Sequence, residues 1–145
     1  MIGDGGHAAV IKTFAPDANV LAIGDNATRK RLVDEGFYTV EAAIHPSAIV
    51  APYVPIGVGT VVMAGVIVQT GARIGRHVIL NTGCTIDHDC VLEDYVHIAP
   101  GAHLCGNVHV GEGTLVGVGV GIAPNTTIPP WSLVKARRLE ICPMK

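Results

Sequence analysis

Seven histidines are the residues of this chain best suited to acid–base or metal chemistry. They are His7, His45, His77, His88, His97, His103 and His109. A histidine titrates near neutral pH, so a neutral imidazole can take a proton from an attacking amine or hydroxyl group. The sequence therefore raises two kinds of chemistry, general-base catalysis and metal binding. The choice between them depends on where the fold places each histidine.

His88 is the strongest candidate for a general base. Asp87 and Asp89 flank it directly. A neighbouring carboxylate can orient the imidazole ring and stabilise the cation that forms when the ring takes a proton. The arrangement predicts that His88 can act as a general base towards an amine or hydroxyl group. The competing interpretation is an exposed histidine with no chemical role.

A period of six residues predicts the elements that position His88. One register contains only Ile, Leu or Val, and the fourth residue after each of these is small or β-branched, so we expect it at the tight corner of the coil. Six matches neither the helical period nor strand alternation. It predicts a β-solenoid in which each hexad is a short strand and a turn, and three hexads close one coil. The aliphatic register is Ile44, Val50, Ile56, Val62, Val68, Ile74, Leu80, Ile86, Leu92, Ile98, Leu104, Val110, Val116, Ile122, Ile128 and Val134.

The repeat runs through about five coils, from Ile44 to Val134, with no insertion. We therefore expect a site on the coil surface, at the solenoid ends or between subunits. His88 follows an inward residue by two positions and should face outward. His97, His103 and His109 each precede an inward aliphatic on successive strands, so they cannot converge within one chain.

The histidine spacings argue against a catalytic metal. Zinc enzymes with a hexapeptide solenoid use three histidines, two of them five residues apart and another two coils away. No pair of histidines in this chain has a separation of 5 or 36 residues. We therefore expect no metal site.

Residues 1–43 lie outside the repeat and predict a small α/β lobe. The expected elements are a helix beginning at 8–12, a strand at 20–23, a turn at 24–26, a polar helix at 26–36 and a strand at 37–40. The glycine-rich segment before His7 has two interpretations. Its backbone N–H groups could hold a phosphate at the start of the helix, or it could be simply a tight turn.

Residues 135–145 form a short tail with Lys135, Arg137 and Arg138 near its start. One interpretation is a solvated basic end. The other is a contact with the phosphates of a bound cofactor.

Composition excludes several partners and locations. The net charge is −2 with no basic block, which argues against nucleic acid. No apolar run is long enough to span a membrane, and the first residues do not resemble a signal peptide. The cysteines contain no C-x-x-C pair, so we expect reduced thiols in a cytoplasmic protein. These cysteines are Cys84, Cys90, Cys105 and Cys142.

Several motifs together resemble those of a known family, the bacterial sugar acyltransferases. This family includes sialic-acid O-acetyltransferases and UDP-4-amino-sugar N-acetyltransferases. The resemblance covers the solenoid and parts of the N-terminal lobe. The motifs are Gly3-Asp4-Gly5-Gly6-His7-Ala8, Ala22-Ile23-Gly24-Asp25-Asn26, Ile44-His45-Pro46-Ser47-Ala48, Asn81-Thr82-Gly83, Asp87-His88-Asp89-Cys90, His97-Ile98-Ala99-Pro100 and Gly106-Asn107.

The resemblance implies a fold, a reaction and a set of catalytic residues. The fold is a left-handed parallel β-helix that assembles as a homotrimer with sites between subunits. The reaction is acetyl transfer from acetyl-CoA to a sugar or nucleotide sugar. His88 corresponds to the general base and Asp89 to its acidic neighbour, while Asn81 and His97 line the site. Gly106 corresponds to the glycine whose N–H meets the thioester carbonyl.

The resemblance also implies binding residues in the lobe and along the coils. In the lobe, Gly5, Gly6, His7, Asp25 and Asn26 are expected to contact the sugar substrate. For acetyl-CoA, the expected residues are Gly106, Gly117, Gly119 and Lys135.

The N-terminal lobe departs from the family pattern. The chain passes almost directly from Lys12 to Val20, where family members have a strand with an acidic pair that recognises the nucleotide. We therefore expect acetyl-CoA binding to be better preserved than nucleotide binding. The alternative function is a catalytically silent scaffold or binding protein, favoured by the short lobe and opposed by His88, Asn81 and Gly106.

Overall fold

The computed structural model describes residues 3, 5–37, 39 and 41–136. Two helices, α1 (Gly6–Lys12) and α2 (Asn26–Asp34), precede a series of two-residue strands. The strands are β1 (Ala43–Ile44), β2 (Ile49–Val50), β3 (Val61–Val62), β4 (Ile67–Val68), β5 (Arg73–Ile74), β6 (Ile79–Leu80), β7 (Thr85–Ile86), β8 (Val91–Leu92), β9 (His97–Ile98), β10 (His103–Leu104), β11 (His109–Val110), β12 (Leu115–Val116), β13 (Gly121–Ile122), β14 (Thr127–Ile128) and β15 (Leu133–Val134).

The strands form three parallel sheets that run the length of a solenoid. Sheet 1 has the order β1-β3-β6-β9-β12-β15, sheet 2 has β13-β10-β7-β4-β2, and sheet 3 has β14-β11-β8-β5. Val62 pairs with Leu80 and Leu80 with Ile98, so neighbouring strands are 18 residues apart. The solenoid predicted from the period of six is confirmed.

The core contains both registers of the repeat. Leu80, Ile86 and Ile98 are completely buried, and each contributes about 1.5–3 kcal/mol through burial. Ile44 is an exception to the inward register, with 45% of its surface exposed. It lies on the first coil, where no earlier coil covers it.

The residue at each corner of the coil differs from the one predicted from the repeat. The small residues were expected to occupy the tight corners, but residues such as Cys84 and Cys90 lie in the core. The corner is the preceding residue, which has a left-handed backbone. Asp89 has φ 60° and Asn107 has φ 59° there, and glycine fills many equivalent positions because it adopts this conformation without strain.

The N-terminal lobe packs on sheet 1. Ala8, Ile11 and Val20 are buried in one cluster with Met63 and Ile79 of the solenoid. This packing attaches the short lobe to the solenoid through apolar contacts.

The predicted lobe elements are partly correct. The polar helix is present as α2, and Asp25 caps it by accepting a hydrogen bond from the Thr28 N–H at 2.8 Å. The strand expected at 20–23 is wrong: only Leu21 makes an isolated bridge, and the segment is held by side-chain burial. In the segment expected as a second strand, Phe37 and Thr39 are not in a strand, while residues 38 and 40 lie outside the described residues.

Neither helix in the described ranges is long and apolar enough to cross a membrane.

Candidate functional site

His88 lies in the turn between β7 and β8, with its ring on the solenoid surface. Its Nδ1 is 2.9 Å from Asp89 Oδ2, and its backbone N–H donates to Asp87 Oδ1 at 2.8 Å. The hydrogen bond to Asp89, followed by the charge of Asp87, raises the pKa of His88 above its ordinary value. Because the carboxylate accepts the Nδ1 proton, a neutral His88 presents the lone pair of Nε2 to an incoming group.

Gly106 lies directly against the His88 ring, one coil further along the solenoid. A Cβ atom at this position would overlap His88 Nε2 and Cε1. Asn107 N–H donates to the His88 carbonyl at 2.9 Å, which holds the two turns in register. Within the described part of the chain, the Gly106 N–H donates to no acceptor, so it remains a hydrogen-bond donor beside the base.

Gly71 supports the other half of the His88–Asp89 pair, and the sequence analysis missed it. A Cβ atom there would overlap Asp89 Oδ1. The dyad therefore lies between two glycines of neighbouring coils, Gly71 below Asp89 and Gly106 above His88. The signal that would have found Gly71 is the 18-residue stacking rule, applied from Asp89 to the preceding coil.

A second polar cluster lies beneath the lobe, on sheet 1. Asn81 Nδ2 is 3.2 Å from His97 Nε2 and 3.2 Å from His7 Nε2. His97 Nδ1 is 3.2 Å from the Gly24 carbonyl oxygen. The structure therefore brings together three predicted site residues, His7, Asn81 and His97, on a different face of the coil from His88.

Burial keeps the histidines of this second cluster neutral. Desolvation, followed by the charge of Arg29, lowers the pKa of His97 to about 4. The same two causes, burial first, lower the pKa of His7. Because neither ring is protonated at neutral pH, the cluster is suited to hydrogen bonding with a substrate rather than to electrostatic attraction.

A concave pocket of about 310 Å³ lies between the start of α2 and the last coils. Its walls are Gly24, Asp25, Asn26, Ala27, Gly113, Leu115, Trp131 and Leu133. Asp25 is occupied as the helix cap, and its hydrogen bond to Thr28 lowers the pKa of the carboxyl group. Asn26 is 8% exposed and its Nδ2 donates to the Gly113 carbonyl at 3.0 Å, so it ties the lobe to the solenoid.

Gly5 and Gly6 lie at the start of α1 and are exposed. A Cβ atom at either position would meet nothing within 4 Å. The open space leaves room for a substrate group beside the first turn of the helix, and phosphate binding there stays a prediction.

The residues expected to bind acetyl-CoA lie towards the end of the solenoid. Gly119 and Lys135 both border a cavity of about 480 Å³. The N–H of Gly117 donates to the Val134 carbonyl at 2.8 Å, and that of Gly119 donates to the Pro100 carbonyl at 3.0 Å. These two N–H groups are therefore occupied by the solenoid itself. Arg137 and Arg138 lie outside the described residues.

Among residues 3, 5–37, 39 and 41–136, no three His, Cys, Asp or Glu side chains form a group that could hold a metal ion.

Comparison with known proteins places this geometry in a family. No protein-family model matches the chain. The GDP-perosamine N-acetyltransferase of Escherichia coli O157:H7 is 34% identical over 82 residues, which are 52% of this chain and 37% of that protein. The chain therefore matches little more than a third of this curated relative.

Solved structures extend the match to most of the chain. The acetyltransferase domain of PglB from Neisseria gonorrhoeae FA1090, in complex with acetyl coenzyme A, is 37% identical with a TM-score of 0.76. This match covers 87% of this chain and 64% of that one. A His-to-Asn variant of perosamine N-acetyltransferase from Caulobacter crescentus, in complex with CoA and GDP-perosamine, is 31% identical with a TM-score of 0.82. That match covers 90% of this chain and 82% of the relative. The chain belongs to the bacterial sugar acyltransferases.

Membership of the bacterial sugar acyltransferases confirms the resemblance identified from the sequence and the left-handed β-helix that it implied. It does not test the individual site residues, whose roles stay predictions. The geometry adds two residues to the candidate site. They are Gly71, which lies against Asp89, and Arg29, which is buried at the junction of lobe and solenoid.

Proposed function

We propose that this sugar acyltransferase family member transfers an acetyl group from acetyl-CoA to an amino or hydroxyl group of a sugar or nucleotide sugar. The observation that carries this proposal is the His88–Asp89 pair beside the unoccupied N–H of Gly106. A base and an oxyanion donor side by side are what acyl transfer from a thioester requires. The relatives add support, since one structure contains acetyl coenzyme A and another CoA with GDP-perosamine.

The reaction follows from this arrangement. His88 Nε2 takes the proton of the acceptor nitrogen or oxygen while that atom attacks the thioester carbonyl carbon. The carbonyl oxygen gains negative charge, which the Gly106 N–H stabilises. The C–S bond then breaks, and the CoA sulfur leaves with the electron pair and receives the proton from the His88 imidazolium. Asp89 accepts from His88 Nδ1 throughout, which stabilises the cation while it exists.

The binding residues divide between the two substrates. Gly119 and Lys135 border the cavity proposed for part of acetyl-CoA, and Lys135 would supply a positive charge to its phosphates. Gly117 contributes close packing of the last coils, since its N–H is occupied. On the lobe, Gly5 and Gly6 leave space for a phosphate. The pocket at Asp25 and Asn26 would hold part of the sugar substrate.

The active unit is proposed to be a homotrimer, because His88 and the cluster around His97 lie on different faces of one chain. A neighbouring subunit would bring a second copy of one face against the other, as cyclic symmetry does. Exposed apolar side chains such as Ile49 and Tyr53 would be covered in such a contact. Light scattering is expected to give three times the 15.0 kDa mass of the chain, and a monomer mass would contradict the shared site.

A cytoplasmic location is also proposed. Cys84, Cys90 and Cys105, the cysteines within the described residues, are all unpaired. Unpaired thiols are typical of a reducing compartment.

A thiol-release assay tests the proposed reaction. The protein is incubated with acetyl-CoA and a panel of free and nucleotide-linked amino sugars, and CoA release is followed together with the acetylated product. Release that depends on the acceptor supports the enzyme. Acetyl-CoA binding without turnover on any acceptor would favour the alternative, a catalytically silent binding or scaffold protein. The same assay with a chelator should show unchanged activity, since the proposed reaction needs no metal.

Asp89→Asn is expected to change the pH profile in a defined direction. Catalysis needs neutral His88, so activity falls as the pH drops through the pKa of His88. Asp89 raises that pKa, hence its removal should shift the acidic limb of the profile to lower pH. Turnover on the plateau should also fall, by less than the roughly 10²-fold minimum expected from losing the base.

The pH profile of kcat from about pH 5 to 9 measures both effects of the Asp89 substitution. An acidic limb that stays in place or moves to higher pH would show that Asp89 does not act through His88.

A further inference from the structure

Arg29 is the largest completely buried polar side chain of the described residues, and its surroundings are unusual for a cation. It lies on α2 and is 1% exposed. Among the residues that the structure describes, no carboxylate pairs with it directly. Burial lowers its pKa to about 10, so the guanidinium still carries its charge at neutral pH. A buried charge without a paired carboxylate is costly, so it persists only where its hydrogen bonds are well satisfied.

The guanidinium joins the lobe to the solenoid through four backbone carbonyls. On the solenoid side, Nε donates to His77 O at 3.1 Å and Nη2 donates to Tyr95 O at 2.8 Å. These two residues occupy equivalent corner positions on successive coils. On the lobe side, Nη1 donates to Ile23 O at 2.9 Å and to Gly24 O at 3.1 Å. The planar fork of arginine suits this task, because lysine could not reach four fixed acceptors.

The Gly24 carbonyl links Arg29 to the polar cluster of the lobe. The same oxygen that accepts from Arg29 lies 3.2 Å from His97 Nδ1. A carbonyl can only accept, so His97 carries its proton on Nδ1 and leaves Nε2 as a lone pair. This backbone oxygen therefore favours the Nδ1–H tautomer of His97 and holds its ring in place.

The amide of Asn81 also determines which ring nitrogen of His7 carries the proton. Asn81 Oδ1 accepts from the Thr82 N–H at 2.8 Å, which turns the amide nitrogen towards the two histidines. That nitrogen can only donate, so the Nε2 atoms of both His97 and His7 must be acceptors. His7 therefore also carries its proton on Nδ1. Within the described residues this N–H donates to no acceptor, and the ring edge that carries it lies against Gly24, where a Cβ atom would overlap it.

We propose that Arg29 is a positioning residue for the acceptor substrate: it fixes the Gly24 carbonyl, and through it the hydrogen bond that holds the His97 ring beside Asn81 and His7. This inference rests on the proposed acetyl transfer for its substrate, while the hydrogen bond itself does not depend on catalysis. The lowered pKa values of His7 and His97 agree with two neutral rings beside the guanidinium.

Nitrogen NMR of the ¹⁵N-histidine-labelled protein tests this arrangement directly. The wild type should show His7 and His97 as Nδ1–H tautomers. In Arg29→Met and Arg29→Lys the His97 Nδ1–H signal should shift and exchange faster with water, because neither side chain can hold the Gly24 carbonyl that accepts it. The His7 tautomer, which depends on Asn81, should stay the same. Arg31→Met is the matched control: Arg31 lies on the same helix, pairs with Glu35 on the surface at 2.8 Å, and should leave both histidines unchanged.

The lysine variant separates positioning from charge. It retains a cation but not the fork, so a weakened His97 Nδ1–H hydrogen bond in Arg29→Lys supports positioning. An unchanged His97 Nδ1–H signal in a folded Arg29→Lys protein would overturn the proposal, as would a wild type in which His97 carries its proton on Nε2. If neither Arg29 variant folds, Arg29 is a structural residue and the proposal fails.

Kinetics adds a second readout. For an acceptor that the wild type acetylates, the KM of that acceptor should rise about tenfold or more in Arg29→Lys, while the KM of acetyl-CoA stays within about twofold. Equal rises in both KM values would contradict positioning of the acceptor. If the wild type acetylates nothing, the proposed function fails, and the NMR result still decides whether Arg29 holds the His97 ring.

Discussion

Replacing His88 with alanine is expected to lower kcat by roughly 10²–10⁴-fold, the range for loss of a general base. Within the described residues the ring makes a hydrogen bond only with Asp89, and the Asp87 carboxylate accepts from the His88 backbone N–H. Removal of the ring therefore leaves the coil intact. The Kd of acetyl-CoA should change little, because His88 acts on the proton of the acceptor. Steady-state kinetics and calorimetry measure the two quantities separately.

His109→Ala is the matched control for the His88 variant. His109 is a half-buried histidine of the solenoid that is also held by a carboxylate, with Nε2 at 2.8 Å from Glu93 Oε1. Its replacement should leave kcat near the wild-type value. If both variants lose activity equally, the loss reflects a damaged solenoid. If His88→Ala keeps full turnover, His88 has no part in the mechanism.

The solenoid could be predicted from the sequence because its core obeys a strict local rule. Every sixth residue must fill the coil interior, so the identity of Val62, Leu80 or Ile98 reports its direction without knowledge of distant contacts. The same rule explains the success of two placements in the candidate site. His88 falls two positions after an inward residue, and Gly106 follows it by one coil.

The lobe was harder to predict because its contacts depend on residues far away in the chain. Residues 20–23 are apolar enough for a strand, yet they are held by packing against sheet 1. Arg29, Lys30 and Arg31 are adjacent cations on a polar helix, and the sequence does not distinguish the buried one. Two carbonyl partners of Arg29 belong to His77 and Tyr95, which follow it in the chain by 48 and 66 positions. Only the folded lobe brings Arg29 to them.

The acetyl-CoA contacts predicted at the end of the solenoid show a different limit of prediction from sequence. Gly117 and Gly119 were expected to leave room for backbone N–H and C=O groups to meet acetyl-CoA, but the coils use both N–H groups. The 18-residue register could have revealed this, since the residue that follows each strand and the residue at each corner regularly donate to a neighbouring coil. A glycine in a solenoid therefore indicates close packing first. It indicates a ligand donor only where the register leaves the N–H unpaired, as at Gly106.

Gly106→Ala is the second substitution with a large expected effect, and we expect kcat to fall by roughly 10²–10³-fold, comparable to loss of an oxyanion donor. The added methyl group would overlap the His88 ring. Gly106 does not have a left-handed backbone, so alanine fits the chain and the ring must move instead. The displaced ring leaves Asp89, and the base no longer lies beside the Gly106 N–H. Because the ring is exposed and can turn outward, the melting temperature should fall only slightly.

A double-substitution cycle tests whether Gly106 acts through His88. If the methyl group harms the reaction by displacing the ring, adding Gly106→Ala to His88→Ala should lower kcat little further, since the ring is already gone. If the two losses multiply, the methyl group instead blocks the thioester or its hydrogen bond to the backbone N–H. A Gly106→Ala enzyme with wild-type kcat would exclude both explanations. It would also show that the ring and this glycine do not share a site in the working protein.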